Sequence, residues 1–395
     1  MIKILQKSQC CGCSACANAC PKGCISMQAD EEGFLYPKVE ENNCINCGLC
    51  KKVCPILNKP QTFSVKEIYA AKHQSEQVKL KSSSGGMFTA LAEIILKKGG
   101  VVFGASFDKD WQVVHAYAEN LEDLDKLRRS KYVQSDIGKT YQQAKQFLQQ
   151  GREVLFTGTP CQIAGLRNYL GKEYDKLITS EIFCHGVPSP AVWQKFLAEN
   201  TQKENISAID FRNKYFGWDS SFLKISYSDG SFLPKIPSLL NSILRVKKGL
   251  LLRRFYRLPF WISNLYERPS CHQCQFKGWN KMADFSIGDF WGVKKNFPKL
   301  YDSKGVSVLL VNTEKAKSLL SQMTISKTAI KAEDAAYMNR YLLTSVSEHP
   351  KRTEFFRKYK TEKFAKLKKE LTEVPLWKRV SRKISRCLKS DKKRK

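Results

Sequence analysis

Two cysteine runs with the same spacing lie near the start of the chain and constrain its fold more than any other feature. Each run reads C-x2-C-x2-C-x3-C-P. The cysteines in this spacing are Cys10, Cys13, Cys16 and Cys20 in the first run and Cys44, Cys47, Cys50 and Cys54 in the second. Such runs are the ligand pattern of paired 4Fe-4S clusters, in which the fourth cysteine of each run ligates the other cluster.

The doubled spacing predicts a small bacterial-ferredoxin-like unit with two 4Fe-4S clusters over residues 1–58. One cluster is expected to take Cys10, Cys13, Cys16 and Cys54, and the other Cys20, Cys44, Cys47 and Cys50. A zinc site or a disulfide scaffold is the alternative, but neither needs a third cysteine two residues on and a fourth before proline, twice over. Cys11 and Cys24 fall outside the pattern and are expected to be small buried residues.

Cysteine usage also bears on the cellular compartment. Ten of the fifteen cysteines lie within the first 54 residues, in metal-ligand spacing. Clusters need reduced thiolates, so we expect a cytoplasmic protein. Residues 1–6 lack the apolar core of a signal peptide, and no apolar run approaches the roughly 20 residues of a membrane span.

Positive charge is the second compositional signal. The formal net charge is +30, and residues 351–395 hold 19 Lys and Arg against 5 Asp and Glu. No nucleic-acid-binding signature accompanies this charge, so we expect no nucleic-acid partner. An acidic electron carrier, such as a ferredoxin or flavodoxin, would be steered to a basic surface. A solvated, partly disordered tail is the alternative.

Peripheral membrane contact is a further hypothesis for the basic C-terminal tail and for a predicted helix over residues 239–266. A basic amphipathic helix that packs on its own protein is the commoner case. The basic residues of the predicted helix are Arg245, Lys247, Lys248, Arg253, Arg254 and Arg257.

From residue 82 onward, strands and helices alternate, after a linker and first strand over residues 59–81. Helices are predicted over 87–97, 122–129, 139–149, 162–169 and 313–322. Strands are predicted from residue 68 and over 101–105, 113–117, 153–156, 177–183, 283–287 and, as the last strand, 306–311. Residues 206–240 are predicted as antiparallel strands with a turn at 229–230. The alternation predicts an α/β domain with a largely parallel sheet, which binds ligands beyond the carboxyl ends of its strands.

Four later cysteines form a second metal candidate. Cys161 and Cys184 each follow a predicted core strand, and Cys271 and Cys274 form a C-x2-C pair. Loops at neighbouring strand ends can meet, so we interpret the four as ligands of a third 4Fe-4S cluster. A structural zinc is the second interpretation, because C-x2-C suits zinc equally well. In the third interpretation, Cys161 and Cys184 are core thiols that bind no metal. Cys387 lies in the basic tail and is taken as incidental.

Several small-residue loops are candidates for cofactor contact. Residues 82–86 read Ser-Ser-Ser-Gly-Gly before a helix, which suits a phosphate, although serine-rich helix starts are common. Residues 157–160 and 131–135 are similar strand-end or connecting loops. Glu181, Asp284, Asp289 and His185 are polar groups near strand ends, and the sequence leaves open whether they pair or catalyse. The chain has no Walker loop, no G-x-G-x-x-G after a strand and no G-x-S-x-G.

The order of these motifs resembles the beta subunit of coenzyme F420-reducing hydrogenases and dehydrogenases over residues 82–312. The stretches that carry the resemblance are 83–86 (SSGG), 130–135 (SKYVQS), 156–162 (FTGTPCQ), 184–189 (CHGVPS), 271–274 (CHQC) and 288–292 (GDFWG). Together with the ferredoxin-like unit, the resemblance covers about three quarters of the chain. It leaves out the last eighty or so residues.

The resemblance implies an α/β FAD-binding domain with a mixed sheet over residues 82–325, followed by a basic helical extension over 326–395. It implies Cys161, Cys184, Cys271 and Cys274 as ligands of a cluster close to the flavin. It also implies flavin contacts at Ser83, Ser84, Gly85, Gly86, Lys131, Tyr132, Gln134, Thr157, Gly158, Thr159 and Pro160. It assigns no catalytic residue.

The expected activity is that of an iron–sulfur flavoprotein oxidoreductase. Electrons would pass between a ferredoxin-like carrier, the clusters and FAD, with hydride exchange to coenzyme F420 or another organic substrate. One alternative is a non-catalytic electron-transfer subunit that relays electrons to a partner enzyme. The other is a reductase that acts in polysaccharide or lipid-linked glycan modification.

Overall fold

The computed structural model of the protein describes residues 1–233 and 264–372. Most of the predicted helix over 239–266 and the tail beyond residue 372 lie outside the described residues. The basic patch on which membrane contact was based and Cys387 lie outside them as well. Within the described part of the chain, no helix combines the length and the apolar character needed to cross a membrane.

The ferredoxin-like unit is built from two matching halves around a hairpin. Each cysteine run leads into a short helix, α1 (Ala15–Ala19) or α2 (Leu49–Lys52). Ser14 and Gly48 occupy equivalent positions before these helices, and both have left-handed backbone, with φ of 59° and 76°. The hairpin pairs β1 (Ile25–Ala29) with β2 (Leu35–Val39). Each half therefore turns its cysteine run back toward the centre of the unit.

The strands that follow form one large sheet and two small ones. They are β3 (Phe63–Ser64), β4 (Glu67–His73), β5 (Val101–Phe107), β6 (Val113–Ala118), β7 (Val154–Gly158), β8 (Leu177–Ile182), β9 (Ile206–Asn213), β10 (Phe222–Tyr227), β11 (Phe232–Leu233), β12 (Asn280–Lys281), β13 (Phe285–Asp289), β14 (Ser307–Val311) and β15 (Ile325–Ala329). The large sheet has eight strands in the order β15-β4-β14-β13-β8-β7-β5-β6. The small sheets are β11-β10-β9 and β12-β3.

Helices cover and connect these strands. They are α3 (Glu76–Leu80), α4 (Met87–Lys97), α5 (Thr140–Gln149), α6 (Pro160–Leu170), α7 (Pro190–Asn200), α8 (Val293–Asn296), α9 (Glu314–Leu320), α10 (Ala332–Ala336), α11 (Arg352–Lys358) and α12 (Phe364–Thr372). Short 3-10 turns complete the described residues at Lys7–Gln9, Glu41–Asn43, Asp123–Lys126, Lys203–Asn205, Trp218–Ser220, Pro269–Gln273, Pro298–Leu300 and Arg340–Leu342. Strand β7 is fully buried over Val154, Leu155 and Phe156, as the continuous apolar run of a central parallel strand requires.

The sheet is mixed, so the largely parallel sheet expected from strand–helix alternation is wrong. Only the neighbours β13–β8, β8–β7 and β7–β5 are parallel in the large sheet. The discrepancy arises because β4, from the front of the chain, inserts between β14 and β15 in the opposite direction. The expected antiparallel strands over 206–240 are confirmed within the described residues by β9, β10 and β11.

Two local predictions are also wrong. The strand at 306–311 is not the last, because β15 follows at the sheet edge. Only Ile325 of β15 is buried, so its Ile-Ser-Lys-Thr-Ala sequence lacks the apolar signal of an inner strand. The helix predicted over 122–129 is a 3-10 turn of four residues, Asp123–Lys126, which buries only Leu124.

The ferredoxin-like unit shares a hydrophobic core with the α/β domain. Cys11, Cys13 and Ala15 pack in one cluster with Ile163 and Leu166 of α6. The hairpin turn at Gly33 packs directly on α7, where a Cβ on Gly33 would lie 2.2 Å from the Cβ of Ala191. These contacts seat the first cysteine run directly on the α/β domain.

Replacing Gly33 by alanine tests this docking of the hairpin. Gly33 has φ of 84°, and an added Cβ would also lie 2.8 Å from the backbone nitrogen of Ala191. We expect a loss of stability of about 1 kcal/mol for the left-handed backbone and about 1–3 kcal/mol more for the overlap. Thermal unfolding followed by circular dichroism measures the sum.

Gly23→Ala is the matched control. Gly23 has φ of 62°, but a Cβ added there would have nothing within 4 Å, so this variant carries the backbone cost alone. Equal losses in the two variants would contradict the packing of Gly33 on α7.

Candidate functional site

The second predicted group of cysteines lines one open cavity of about 320 Å³. The cavity is bordered by Cys20, Cys44, Cys47 and Cys50. Cys24 lines it too, and its sulfur lies 3.4 Å from that of Cys20. The prediction that Cys24 is buried is confirmed, but its contact with a predicted ligand was not foreseen.

The first predicted group of cysteines is also brought together. Burial, followed by the negative charges of Cys10 and Cys54, raises the pKa of Cys16 to about 12. The charges of Cys10 and Cys16 act on Cys13 in the same way. A thiol with such a pKa is protonated at neutral pH, so metal binding here must displace its proton. The thiols of this group therefore suit a metal cation, because a bound cation stabilises the thiolate form.

The four later cysteines meet at the carboxyl edge of the large sheet. Cys161 is the second residue of α6, directly after β7, and Cys184 follows the neighbouring parallel strand β8. Cys271 lies in the 3-10 turn Pro269–Gln273, and Cys274 follows it. Cys161 and Cys274 pack against one hydrophobic cluster, and burial, followed by the neighbouring Cys184, raises the pKa of the Cys271 thiol. Burial raises the pKa of Cys184 to about 12.

Cys11 connects the first group of cysteines with this later group. Cys11 packs in one hydrophobic cluster with Cys13 and Cys161, and the Cys13 thiol is the largest cause that raises the pKa of the Cys11 thiol. Helix α6 approaches the first cysteine run so closely at Gly165 that a Cβ on this residue would lie 3.0 Å from the sulfur of Cys13. Cys11 is buried, as predicted, but its place between two candidate metal sites could not be foreseen from the sequence.

The loop of Ser83–Gly86 lies at the same edge of the sheet, between β4 and helix α4. The amide of Gly85 donates to Ser307 Oγ over 3.0 Å, and a Cβ on Gly85 would lie 2.6 Å from the carbonyl oxygen of Ala71. The hydroxyl of Ser84 donates to Val306 O over 3.0 Å. Only glycine therefore fits at position 85.

A second predicted stretch joins this loop. The amide of Ser130 donates to Ser83 Oγ over 2.8 Å, so residues 83–86 and 130–132 are neighbours. The ammonium of Lys131 donates to the carbonyl oxygen of Arg128 over 2.7 Å, and Tyr132 packs edge-on against Phe211. The structure thus gathers two of the sequence stretches predicted to contact a flavin.

The remaining predicted flavin contacts face the cysteine groups. Thr157 Oγ1 donates to Phe103 O over 2.8 Å, and Thr159 caps α6 with its hydroxyl 3.1 Å from the sulfur of Cys161. Gly158 ends β7 and Pro160 begins α6. Gln134 donates to the carbonyl oxygen of Cys11 over 3.1 Å. Gln134 therefore contacts the backbone of the ferredoxin-like unit.

The polar groups whose role the sequence left open are engaged in pairs. Asp284 accepts from the amide and hydroxyl of Thr179, and Glu181 accepts from Ser286. Asp289 pairs with Arg212. His185 lies 2.9 Å from the side-chain oxygen of Asn264. Asp289 and His185 lie at the carboxyl edge, at the end of β13 and after β8, whereas Asp284 directly precedes β13 at the opposite end of that strand.

Two residues at this edge were missed by sequence reasoning. Lys214 directly follows β9, and its ammonium donates to the carbonyl oxygens of Lys79 and Ser84, each over 2.8 Å, and to that of Lys304. Burial, followed by the charge of Arg212, lowers the pKa of Lys214 to about 7. His115 in β6 lies 3.0 Å from the carbonyl oxygen of Thr157. Neither residue belongs to a motif, so no sequence signal marks them.

The class of protein follows from comparison with known families. A 4Fe-4S dicluster domain profile matches residues 9–57. Profiles for the N-terminal and C-terminal parts of the coenzyme F420 hydrogenase/dehydrogenase beta subunit match residues 68–141 and 151–336. The chain therefore combines a 4Fe-4S dicluster domain with the N-terminal and C-terminal parts of this beta subunit. It belongs to the coenzyme F420 hydrogenase/dehydrogenase beta-subunit family, with a 4Fe-4S dicluster domain in front.

Individual relatives match parts of the chain. The coenzyme F420-dependent sulfite reductase of Methanocaldococcus jannaschii is 28% identical over 170 residues, which cover 42% of this chain and 26% of that protein. The chain thus spans about a quarter of the length of this relative. Subunit I of the NADH-quinone oxidoreductase of Pelobacter propionicus is 39% identical over 57 residues, 12% of this chain and 31% of that one.

Among solved structures, a chain of the F420-reducing [NiFe] hydrogenase complex from Methanosarcina barkeri is similar. The match has 19% sequence identity and a TM-score of 0.44, and it covers 78% of this chain and 92% of that one. The score is too low to support further comparison.

Acid sensitivity should depend on His115. Burial, opposed by the hydrogen bond with Thr157, lowers the pKa of His115 to about 4. The unfolded chain, with an ordinary histidine pKa, binds this proton already near pH 6.5. The stability that neutral His115 contributes is therefore fully present above pH 6.5. It is lost as the pH falls toward 4, and the free energy of unfolding drops by about 3 kcal/mol.

Urea unfolding at pH 7.5 and pH 4.5 tests this expectation in wild type and in His115→Gln. Glutamine can still donate to Thr157 but does not titrate, so the variant should lose less stability than wild type between the two pH values. Parallel losses in the two proteins would contradict it.

Proposed function

We propose that the protein is an iron–sulfur flavoprotein oxidoreductase. It passes electrons between a ferredoxin-like carrier, its 4Fe-4S clusters and FAD, with hydride exchange to coenzyme F420 or another organic substrate. The observation that carries the proposal is the packing of Cys11 in one hydrophobic cluster with both Cys13 and Cys161. It joins the dicluster domain to a further group of thiols at the ligand-binding edge of the sheet.

The proposal includes a third 4Fe-4S cluster held by Cys161, Cys184, Cys271 and Cys274. Zinc, with bonds of about 2.3 Å to sulfur, needs thiolates roughly 3.8 Å apart around one point. In the described part of the chain, no three His, Cys, Asp or Glu side chains gather closely enough for a single metal ion. A cluster is proposed in preference to zinc because the same chain carries a 4Fe-4S dicluster domain whose first cysteine run packs in one hydrophobic cluster with Cys161.

The proposed flavin would lie along the carboxyl edge of the sheet. Ser83, Ser84, Gly85 and Gly86 would hold its phosphates, and Lys131, Tyr132 and the loop over 157–160 would line the rest. The loop suits an anion because it leads into the N-terminus of α4. A bound phosphate would favour the protonated form of Lys214, whose ammonium donates to Ser84 O. Lys214 positions the loop by tying Ser84 to Lys79. A bound flavin would supply the conversion between single-electron and hydride transfer.

Iron and flavin content test the proposal. Protein purified without oxygen should carry about twelve irons per chain and should bind FAD, seen as cluster and flavin absorbance. Cys271→Ser/Cys274→Ser should lower the iron content to about eight per chain, because one cluster is lost. Cys387→Ser is the control and should leave the iron content unchanged.

Two results would contradict the proposal. Iron-loaded wild-type protein that cannot bind FAD would contradict the flavin. Zinc in place of the last four irons would contradict the third cluster. An isolated chain that binds flavin but turns over only artificial dyes would favour the relay subunit instead.

The proposed carrier would dock around Cys47, the exposed cysteine of the second group. Ile45 and Leu49 beside it are 57% and 37% exposed. Lys22, Lys51 and Lys52 surround them, and none of the three pairs with a carboxylate of the described residues. We name these six residues the carrier face. An apolar centre with a basic rim suits an acidic redox protein.

Charge reversal on the carrier face tests this docking. Lys51→Glu/Lys52→Glu should slow reduction by a reduced acidic ferredoxin about tenfold or more at low ionic strength, because steering becomes repulsion. The difference from wild type should shrink at high salt. Stopped-flow absorbance measures the rate, and iron content confirms that the clusters are loaded.

Lys97→Glu/Lys331→Glu is the matched control, because it changes the charge equally at exposed positions outside the carrier face. An equal slowing in this control would show a net-charge effect and contradict docking at Cys47.

A further inference from the structure

Arg268 differs from the other buried arginines of the described residues. Arg212 pairs with Asp289, and Arg352 pairs with Glu32. Arg268 is 0% exposed and has no carboxylate partner in the part of the chain that the structure describes. Burying an unpaired charge costs several kcal/mol. A compensating negative charge is therefore needed close to Arg268.

The hydrogen bonds of Arg268 fix the guanidinium against the first cysteine run. Its Nε donates to Cys10 O over 2.8 Å, Nη1 to Gln134 Oε1 over 2.9 Å and Nη2 to Leu35 O over 2.9 Å. All three acceptors are neutral. Gly12 makes the approach possible, since a Cβ there would lie 2.7 Å from Nη1.

The groups near Arg268 that can carry negative charge include three thiols. These thiols belong to Cys10, Cys11 and Cys271, and the ring centre of Tyr36 lies 4.3 Å from the guanidinium. Cys10 belongs to the first group of the dicluster domain. A 4Fe-4S cluster with four thiolates is an anion, and its negative charge grows by one when it takes up one electron.

We propose that Arg268 is a positioning residue that offsets the negative charge of the cluster at Cys10, Cys13, Cys16 and Cys54 and so raises its reduction potential. One electron from the carrier is added, and no bond forms or breaks. A fixed cation in a buried site stabilises the reduced form more than the oxidised form, because the reduced form carries more negative charge. The inference depends on the dicluster domain and not on the proposed flavin.

A redox titration followed by electron paramagnetic resonance tests the role of Arg268. Arg268→Met should lower the equilibrium constant for reduction of this cluster at least tenfold, a midpoint shift of about 59 mV to more negative potential. Arg268→Lys keeps the charge and should stay near wild type. Iron content is measured in parallel in both variants.

The double variant Glu32→Gln/Arg352→Gln is the control. It removes a buried arginine with its carboxylate partner, so it disturbs packing without changing the local net charge, and it should leave the midpoint unchanged. An unshifted midpoint in Arg268→Met, or an equal shift in Arg268→Lys, would overturn the proposal. Loss of the cluster in Arg268→Met with retention in Arg268→Lys would support it, and loss in both would overturn it.

Discussion

The packing of the first cysteine run on helix α6 is the contact on which the rest of the arrangement depends. The side chain of Cys13 packs against Gly165 of α6, and Cys11 packs in the same cluster as Cys161, one turn earlier on that helix. Because α6 begins where β7 ends, the dicluster domain is held against the carboxyl edge of the sheet.

Local spacing was enough to predict the cysteine groups and most strands. A cluster ligand pattern repeats within a few residues, and buried strands such as β7 and β8 are continuous apolar runs. Helix α4 was predicted with its observed bounds because its apolar periodicity ends at Gly99 and Gly100. The placement of Cys161 and Cys184 at one edge follows from the rule that neighbouring parallel strands end together, because they follow β7 and β8.

The remaining features depend on contacts between distant parts of the chain. Lys214 bonds to carbonyl oxygens of Lys79, Ser84 and Lys304, and Arg268 bonds to Cys10, Leu35 and Gln134. Each is a single cation with no motif around it, so only the folded chain reveals its partners. Strand–helix alternation alone favoured a largely parallel sheet for the same reason, because the direction of β4 depends on partners far along the sequence.

The position of β4 has a consequence for folding during synthesis. This strand leaves the ribosome long before β14 and β15, the two strands between which it lies in the large sheet. The emerging chain must therefore keep two unpaired edges of β4 from pairing with other chains until its partners arrive. Early binding of metal by the cysteine runs would fold the ferredoxin-like unit beside the unpaired strand β4.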